Sequence, residues 1–187
     1  MRIARRAALA ALAISAIVTS VAAANTETIA PGTFEFTPTL AFSRTSFTVP
    51  GINENASITH FDLNATVARS FTEQFQLMGG LLVQHHAGTG EDLTSYGGSV
   101  GAMLNLPVQG SVIPFASLQM GFVQYTGSES DRAMLAPMMR LGVRSWIADQ
   151  RTLNVSLGYR HEINPESSVR DDANVFDIGV GVSMMKK

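Results

Sequence analysis

The chain has 187 residues, with thirteen Lys and Arg against fifteen Asp and Glu and no cysteine. Three of the basic residues, Arg2, Arg5 and Arg6, sit in the first six positions, so the rest of the chain carries ten positive against fifteen negative charges. A net charge of −5 argues against a nucleic-acid partner, and the lack of thiols excludes disulfides and thiolate metal sites.

The arginines open a leader. Ala7 to Val21 is an apolar stretch, and Ala22-Ala23-Ala24 is the small-residue pattern that a signal peptidase accepts. The stretch is short for a membrane-spanning helix and is broken by Ser15, Thr19 and Ser20. Cleavage is expected before Asn25, giving a signal peptide over 1–24 and one domain over 25–187 in the periplasm and beyond.

After the leader, the chain alternates with a period of two. Phe34, Phe36, Leu40 and Phe42 oppose Glu35, Thr37, Thr39 and Ser43, and Phe61, Leu63, Ala65 and Val67 oppose Asp62, Asn64 and Thr66. From Phe75 to His86 the pattern blurs, because Met78 and Leu82 fall on the polar face. Tyr96 to Leu106 sets Val100, Ala102 and Leu104 against Ser99, Gly101, Met103 and Asn105. Ala116, Leu118, Met120 and Phe122 then oppose Ser117, Gln119 and Gly121, and Met139, Leu141 and Val143 oppose Arg140, Gly142 and Arg144. The seventh run sets Leu153, Val155, Leu157 and Tyr159 against Asn154, Ser156, Gly158 and Arg160, and the eighth sets Phe176, Ile178, Val180, Val182 and Met184 against Asp177, Gly179, Gly181 and Ser183. A helix would mix these sets; a half-apolar strand separates them. Eight strands are predicted, and no capped apolar stripe of helical period occurs after the leader.

A water-soluble barrel or sandwich would also alternate, so the fold depends on which face points inward. Gly and Ser dominate the polar face, which suits the narrow interior of an eight-stranded barrel. Threading the strands alternately up and down gathers Phe34, Phe36, Phe71, Phe75, Phe115 and Trp146 near one rim and Phe42, Phe61, Tyr96, Tyr125, Tyr159 and Phe176 near the other, two belts of the kind membrane interfaces select. Strict alternation nevertheless points Trp146 inward. The links on the side of the termini are short, at Thr72 to Gln74, Pro107 to Ile113 and Ala148 to Arg151. Those on the other side, Thr48 to Ser57, Ala87 to Thr94, Gly127 to Ala133 and Glu162 to Asn174, are longer and more acidic. Short periplasmic turns and long outer loops are the outer-membrane arrangement. The predicted fold is an all-β, closed, antiparallel up-and-down transmembrane barrel.

Tyr96-Gly-Gly-Ser-Val-Gly-Ala-Met-Leu-Asn-Leu-Pro107 and Ile113-Pro-Phe-Ala-Ser-Leu-Gln-Met-Gly-Phe122, with the leader and the eight runs, resemble the OmpX-like and OmpA-like "outer membrane protein beta-barrel" families. The resemblance covers the whole mature chain and implies a place in the outer membrane of a Gram-negative cell envelope, among lipid and lipopolysaccharide, reached through the outer-membrane assembly machinery. Family members usually end in an aromatic residue, whereas this chain ends Met184-Met185-Lys186-Lys187.

Catalytic patterns are weak. Gly97-Gly98-Ser99-Val100-Gly101 matches the G-x-S-x-G pattern, but no helix follows to make the elbow that exposes the serine. His85 and His86 face opposite sides of a strand and cannot share a metal ion. The sequons at Asn55, Asn64 and Asn154 fit chance in a bacterial chain. Arg160-His161-Glu162-Ile163-Asn164 loosely resembles the His-x-Ser neighbourhood of lipid A deacylases, but Ile163 replaces the serine that His161 would activate. The expected role is therefore structural or in surface interaction, with no enzyme activity, cofactor or metal. Glu35, Asp62 and Asp177 are expected to pair inside the lumen with Arg140, Arg144 and Arg160, with Arg160 and Asp177 as direct partners. A narrow porin-like channel is the alternative, as is a surface adhesin that binds a host or surface ligand through Glu54, Glu91, Asp92, Glu129, Asp131, Glu166, Asp171 and Asp172.

Overall fold

The computed structural model describes residues 29–47, 56–86, 93–106, 112–126, 132–163 and 173–187. The predicted leader and the outer-side links lie outside them, apart from a few residues at the strand ends. Eight antiparallel strands follow one another in chain order: β1 Phe34–Phe47, β2 Ala56–Ser70, β3 Phe75–His86, β4 Leu93–Asn105, β5 Val112–Thr126, β6 Arg132–Ala148, β7 Arg151–Glu162 and β8 Ala173–Lys186. Each pairs with its neighbours and β8 pairs with β1, which closes the barrel and leaves no open edge.

The register fixes the barrel's shape. A row of paired residues starting at Phe34 passes through Arg69, Leu77, Ala102, Leu118, Met139, Tyr159 and Phe176 and returns to β1 at Arg44, ten residues above its start. With a rise of ~3.3 Å per residue and ~4.8 Å between strands, that stagger tilts the strands by about 40°. Each step along such a row also climbs roughly 3 Å toward the outer end.

The faces are inverted relative to a soluble protein. Leu40, Leu63, Leu81, Val100, Leu118, Leu141, Leu157 and Val180 are exposed, while Glu35, Asp62, Gln76, Gln84, Arg144 and Glu162 are buried. Burying apolar side chains is what water selects, so a closed barrel with its apolar set outside requires a lipid surround. The described outward aromatics form two girdles. Phe34, Phe36, Phe71 and Phe75 lie low, where the Phe71 and Phe75 rings meet at 6.4 Å. Phe42, Phe61, Tyr96, Phe122, Tyr159 and Phe176 lie high, with ring contacts of 5.4 Å between Phe42 and Phe61 and 4.9 Å between Tyr159 and Phe176. By the register the girdles are about 20 Å apart, close to the height of an outer-membrane apolar band.

Three of the expected belt residues face inward instead. Phe115 and Tyr125 share the inward parity of β5 with Ser117, and both are buried; Phe122, of the opposite parity, takes Tyr125's place in the high girdle. Trp146 follows the inward parity of β6 and packs with Ile29, Met185 and Ile113. These four close the low end of the barrel next to the turn at Gly32, whose φ of 85° suits a glycine. Gly32 N–H donates to Ser70 O at 2.7 Å, which ties this segment to β2.

The turns at the low end are tight. Thr72 Oγ1 accepts the Phe75 N–H at 2.9 Å, closing the β2–β3 link, and Asp149 and Gln150 alone join β6 to β7. The register slips between Trp146 and Ala148, so one extra residue bulges at the rim. The strands run further than the alternation suggested: β5 begins at Val112, inside the predicted link, and β7 continues to Glu162.

Candidate functional site

The polar face converges on the lumen, and its charges fall into three layers. In the lowest, Glu35 of β1 receives Arg144 Nη1 of β6 at 3.0 Å and Gln76 Nε2 of β3 at 3.1 Å, as well as the hydroxyls of Thr37 and Ser183. The Glu35 and Arg144 side chains are each 1% exposed. The Arg144 guanidinium also stacks 5.2 Å from the Phe115 ring centroid and donates to Met103 Sδ at 3.0 Å. Phe115 therefore faces inward as the apolar wall of a buried cation, a favourable use of an aromatic face.

The middle layer is Arg140 and Asp177. Arg140 Nη2 lies 2.9 and 3.0 Å from the two carboxylate oxygens, and Nη1 donates to Ser156 Oγ at 3.0 Å. The pair spans from β6 to β8 across β7, which is possible because Gly158 stands opposite Asp177; a methyl group there would collide with the carboxylate. Gly179 likewise gives room to Arg140 Nη1, 2.7 Å from where its Cβ would stand. Between the lower layer and the upper one a cavity of about 90 Å³ remains, lined by Thr39, Asn64, Met78, Ser99, Gln119 and Arg140 among others. It has room for a few waters.

In the upper layer, His60 Nε2 lies 3.1 Å from Asp62 Oδ1, and Ser43 donates to the same carboxylate. Ser95 donates to Gln84 Oε1 at 2.9 Å, and the Gln84 amide meets His60 at 3.3 Å. Arg160 Nε donates to Glu162 Oε1 at 2.7 Å, and the Tyr125 hydroxyl donates to Glu162 Oε2. Leu82, Val123, Tyr125, Met134 and Ala136 pack as an apolar cluster at this level.

All six lumen residues named from the sequence point inward, but two expected partnerships are not formed: Asp62 is held by His60 and Ser43 in place of an arginine, and Arg160 does not meet Asp177. Asp177 stands opposite Gly158, and Arg160 opposite Val175, so Asp177 pairs with Arg140 and Arg160 with Glu162. Sequence reasoning placed Glu162 in a loop because the apolar alternation ends at Tyr159, although its parity matches Arg160. His60 precedes Phe61, the first apolar residue of its run, and Gln76 lies in the strand whose polar face Met78 and Leu82 interrupt, so neither stands out in the alternation; Tyr125 stands out, but as an aromatic assigned to the belt.

The weak motifs are resolved by their surroundings. Ser99 lies inside β4 and donates to Gln119 Oε1 at 2.9 Å, without a strand-to-helix elbow. His85 is exposed beside Thr94, and the His86 side chain lies outside the described residues, as does Asn55. His161 Nδ1 lies 2.9 Å from Asn174 Oδ1, beside the Tyr159 hydroxyl that donates to the same oxygen at 2.7 Å. Among the described residues no group of three or more His, Asp and Glu side chains could hold a metal ion.

No family model matches the chain, and no curated protein matches it by sequence. Solved structures do. Neisserial surface protein A superposes with a TM-score of 0.66 at 14% identity, covering 82% of this chain and 98% of that one. Ail, the attachment invasion locus protein of Yersinia pestis, gives 0.54 at 14% identity over 83% and 99% of the two chains. The N-terminal β-barrel domain of Pseudomonas aeruginosa OprF gives 0.50 at 13% identity over 84% and 100%. With its lipid-facing apolar band and paired aromatic girdles, the chain has the fold of the small eight-stranded outer-membrane β-barrels.

Proposed function

We propose that this chain is a closed, non-conducting outer-membrane barrel whose role is structural or at the cell surface, where it holds four outer-side links in place. The observation that carries this reading is the buried Glu35–Arg144 pair, which crosses the lumen at its low end under a cavity of only about 90 Å³. A narrow eight-stranded interior filled in this way leaves no wide wet path. No catalytic residue, cofactor or metal is assigned. In this reading residues 1–24 are removed on export and the assembly machinery inserts residues 25–187, so N-terminal sequencing of the membrane fraction should begin at Asn25.

The test of closure is conductance in planar bilayers. The purified barrel should give no unitary steps, and Arg144→Ala combined with Trp146→Ala, which removes both the buried pair and part of the apolar closure at that end, should give small ones. Stable steps from the unaltered protein would favour the porin-like alternative.

A surface-binding reading rests on the outer-side links, where Glu54, Glu91, Asp92, Glu129, Asp131, Glu166, Asp171 and Asp172 outnumber Arg132 and Arg170. These ten side chains lie outside the described residues, which include only the backbone of Arg132 among them. Their charge suits a cationic partner, or lipopolysaccharide bridged by divalent cations. Binding of lipopolysaccharide that is lost on adding a chelator would support this reading, and binding unaffected by the chelator would remove it.

A further inference from the structure

Arg69 stands on the outward face of β2 inside the low aromatic girdle, with Cζ 5.2 Å from the Phe34 ring centroid and 5.8 Å from that of Phe71. Among the described residues it forms no ion pair. A guanidinium held by two rings at a bilayer edge is oriented for a phosphate, which it can bind through two parallel hydrogen bonds.

From this arginine an apolar groove of about 1010 Å³ runs over β3, β4, β5 and β6 to Tyr159 and His161 of β7. Its floor is low because Gly79 lacks a side chain and Ala102 has only a methyl, while Leu77, Val100, Leu118 and Met120 rise beside them. The groove follows the in-register rows, which climb away from the end with the short turns. From β2 to β7 it extends about 24 Å and, at a tilt of about 40°, rises roughly 15 Å, the depth of about one leaflet.

We propose that Arg69 and this groove bind one glycerophospholipid of the periplasmic leaflet, the phosphate on the guanidinium and one acyl chain laid past Gly79 and Ala102. Charge complementarity and position select this occupant. The cation lies at the periplasmic rim, out of reach of lipopolysaccharide phosphates in the opposite leaflet, and the groove continues from it into hydrocarbon. The site lies outside the barrel and is independent of whether the lumen conducts.

Native mass spectrometry of the folded barrel in a non-ionic detergent tests this, with dioleoylphosphatidylglycerol, dioleoylglycerol and inorganic phosphate as probes. The unaltered protein should retain one phosphatidylglycerol about tenfold more tightly than the diacylglycerol, the worth of one charge-assisted contact. Arg69→Gln should erase that preference. Gly79→Leu should weaken both lipids about tenfold by filling the groove. A Cβ at Gly79 meets nothing nearer than Ser99 O at 3.7 Å, so this variant keeps the barrel intact, and heat-modifiable mobility checks both folds. Equal retention by either variant and the unaltered protein overturns the proposal, because it requires both ends of the site. Equal binding of diacylglycerol, or phosphate bound as tightly as the lipid, overturns it as well.

Discussion

The two ends of the lumen hold their charges in different ways. At the low end a single carboxylate, Glu35, collects donors from β3, β6 and β8 as well as from its own strand, so the contacts cross the barrel. At the high end the ion pairs are local: His60 with Asp62 and Arg160 with Glu162 are each two residues apart on one strand, the links to other strands are neutral donors such as Ser43, Gln84 and Tyr125, and an apolar cluster fills the space beside them. A cross-lumen contact constrains the barrel's cross-section, whereas a same-strand pair mainly satisfies its own charges. The low end should therefore act as the lock, and the high end as a cap that tolerates rearrangement near the outer links.

The largest effect tests that lock. Arg144→Ala leaves Glu35 buried without its cation and should cost about 3 to 5 kcal/mol of folding free energy, while the Glu35→Ala, Arg144→Ala double variant should recover part of the loss. Urea titration of the barrel in lipid vesicles measures both. A loss below about 1 kcal/mol would mean that water reaches the pair and that the low end is not sealed.

On the same strand, three residues away, Leu141 faces lipid and is 56% exposed. Leu141→Arg should cost ~2 to 4 kcal/mol, as should Val180→Arg, because each puts a cation near the middle of the apolar band. If the same titrations found Leu141→Arg neutral, the outward set would not face hydrocarbon, and the loss at Arg144 could not be ascribed to the lumen.

The high end should respond less. Glu162→Ala removes the acceptor of both Arg160 and the Tyr125 hydroxyl, yet the Asp62 carboxylate still acts on the Arg160 charge, so about 1 to 3 kcal/mol is expected. A loss equal to that at Arg144 in parallel titrations would erase the distinction between lock and cap.

The strand phase was legible from the sequence because a period of two separates Phe176, Ile178 and Val180 from Asp177, Gly179 and Gly181 without exception. The inversion was legible because small residues crowd the polar set. Partner choice was not, since it depends on stagger: a ten-residue shear sets Asp177 against Gly158, a relation no single strand records. Inward aromatics were missed because a belt was inferred from height along the strand alone. Parity decides the side, and it sends Phe115 to Arg144 and Tyr125 to Glu162.

Asp177 lies between the two ends and gives the smallest and most discriminating effect. Its partner Arg140 borders the cavity, with 22% of its side chain exposed, so truncating the carboxylate leaves a cation that nearby water can solvate. Asp177→Ala should cost about 1 to 2 kcal/mol, below the loss at Arg144, since a partly hydrated pair sits between the surface and buried limits. Two double-mutant cycles then separate the candidate cations. Combined with Arg140→Ala the losses should be strongly non-additive, with a coupling of about 1 kcal/mol; combined with Arg160→Ala they should add to within about 0.5 kcal/mol, because Glu162 holds that guanidinium. The reverse result would restore the Arg160–Asp177 pairing and require a β7–β8 register that opposes those two residues in place of Gly158 and Asp177.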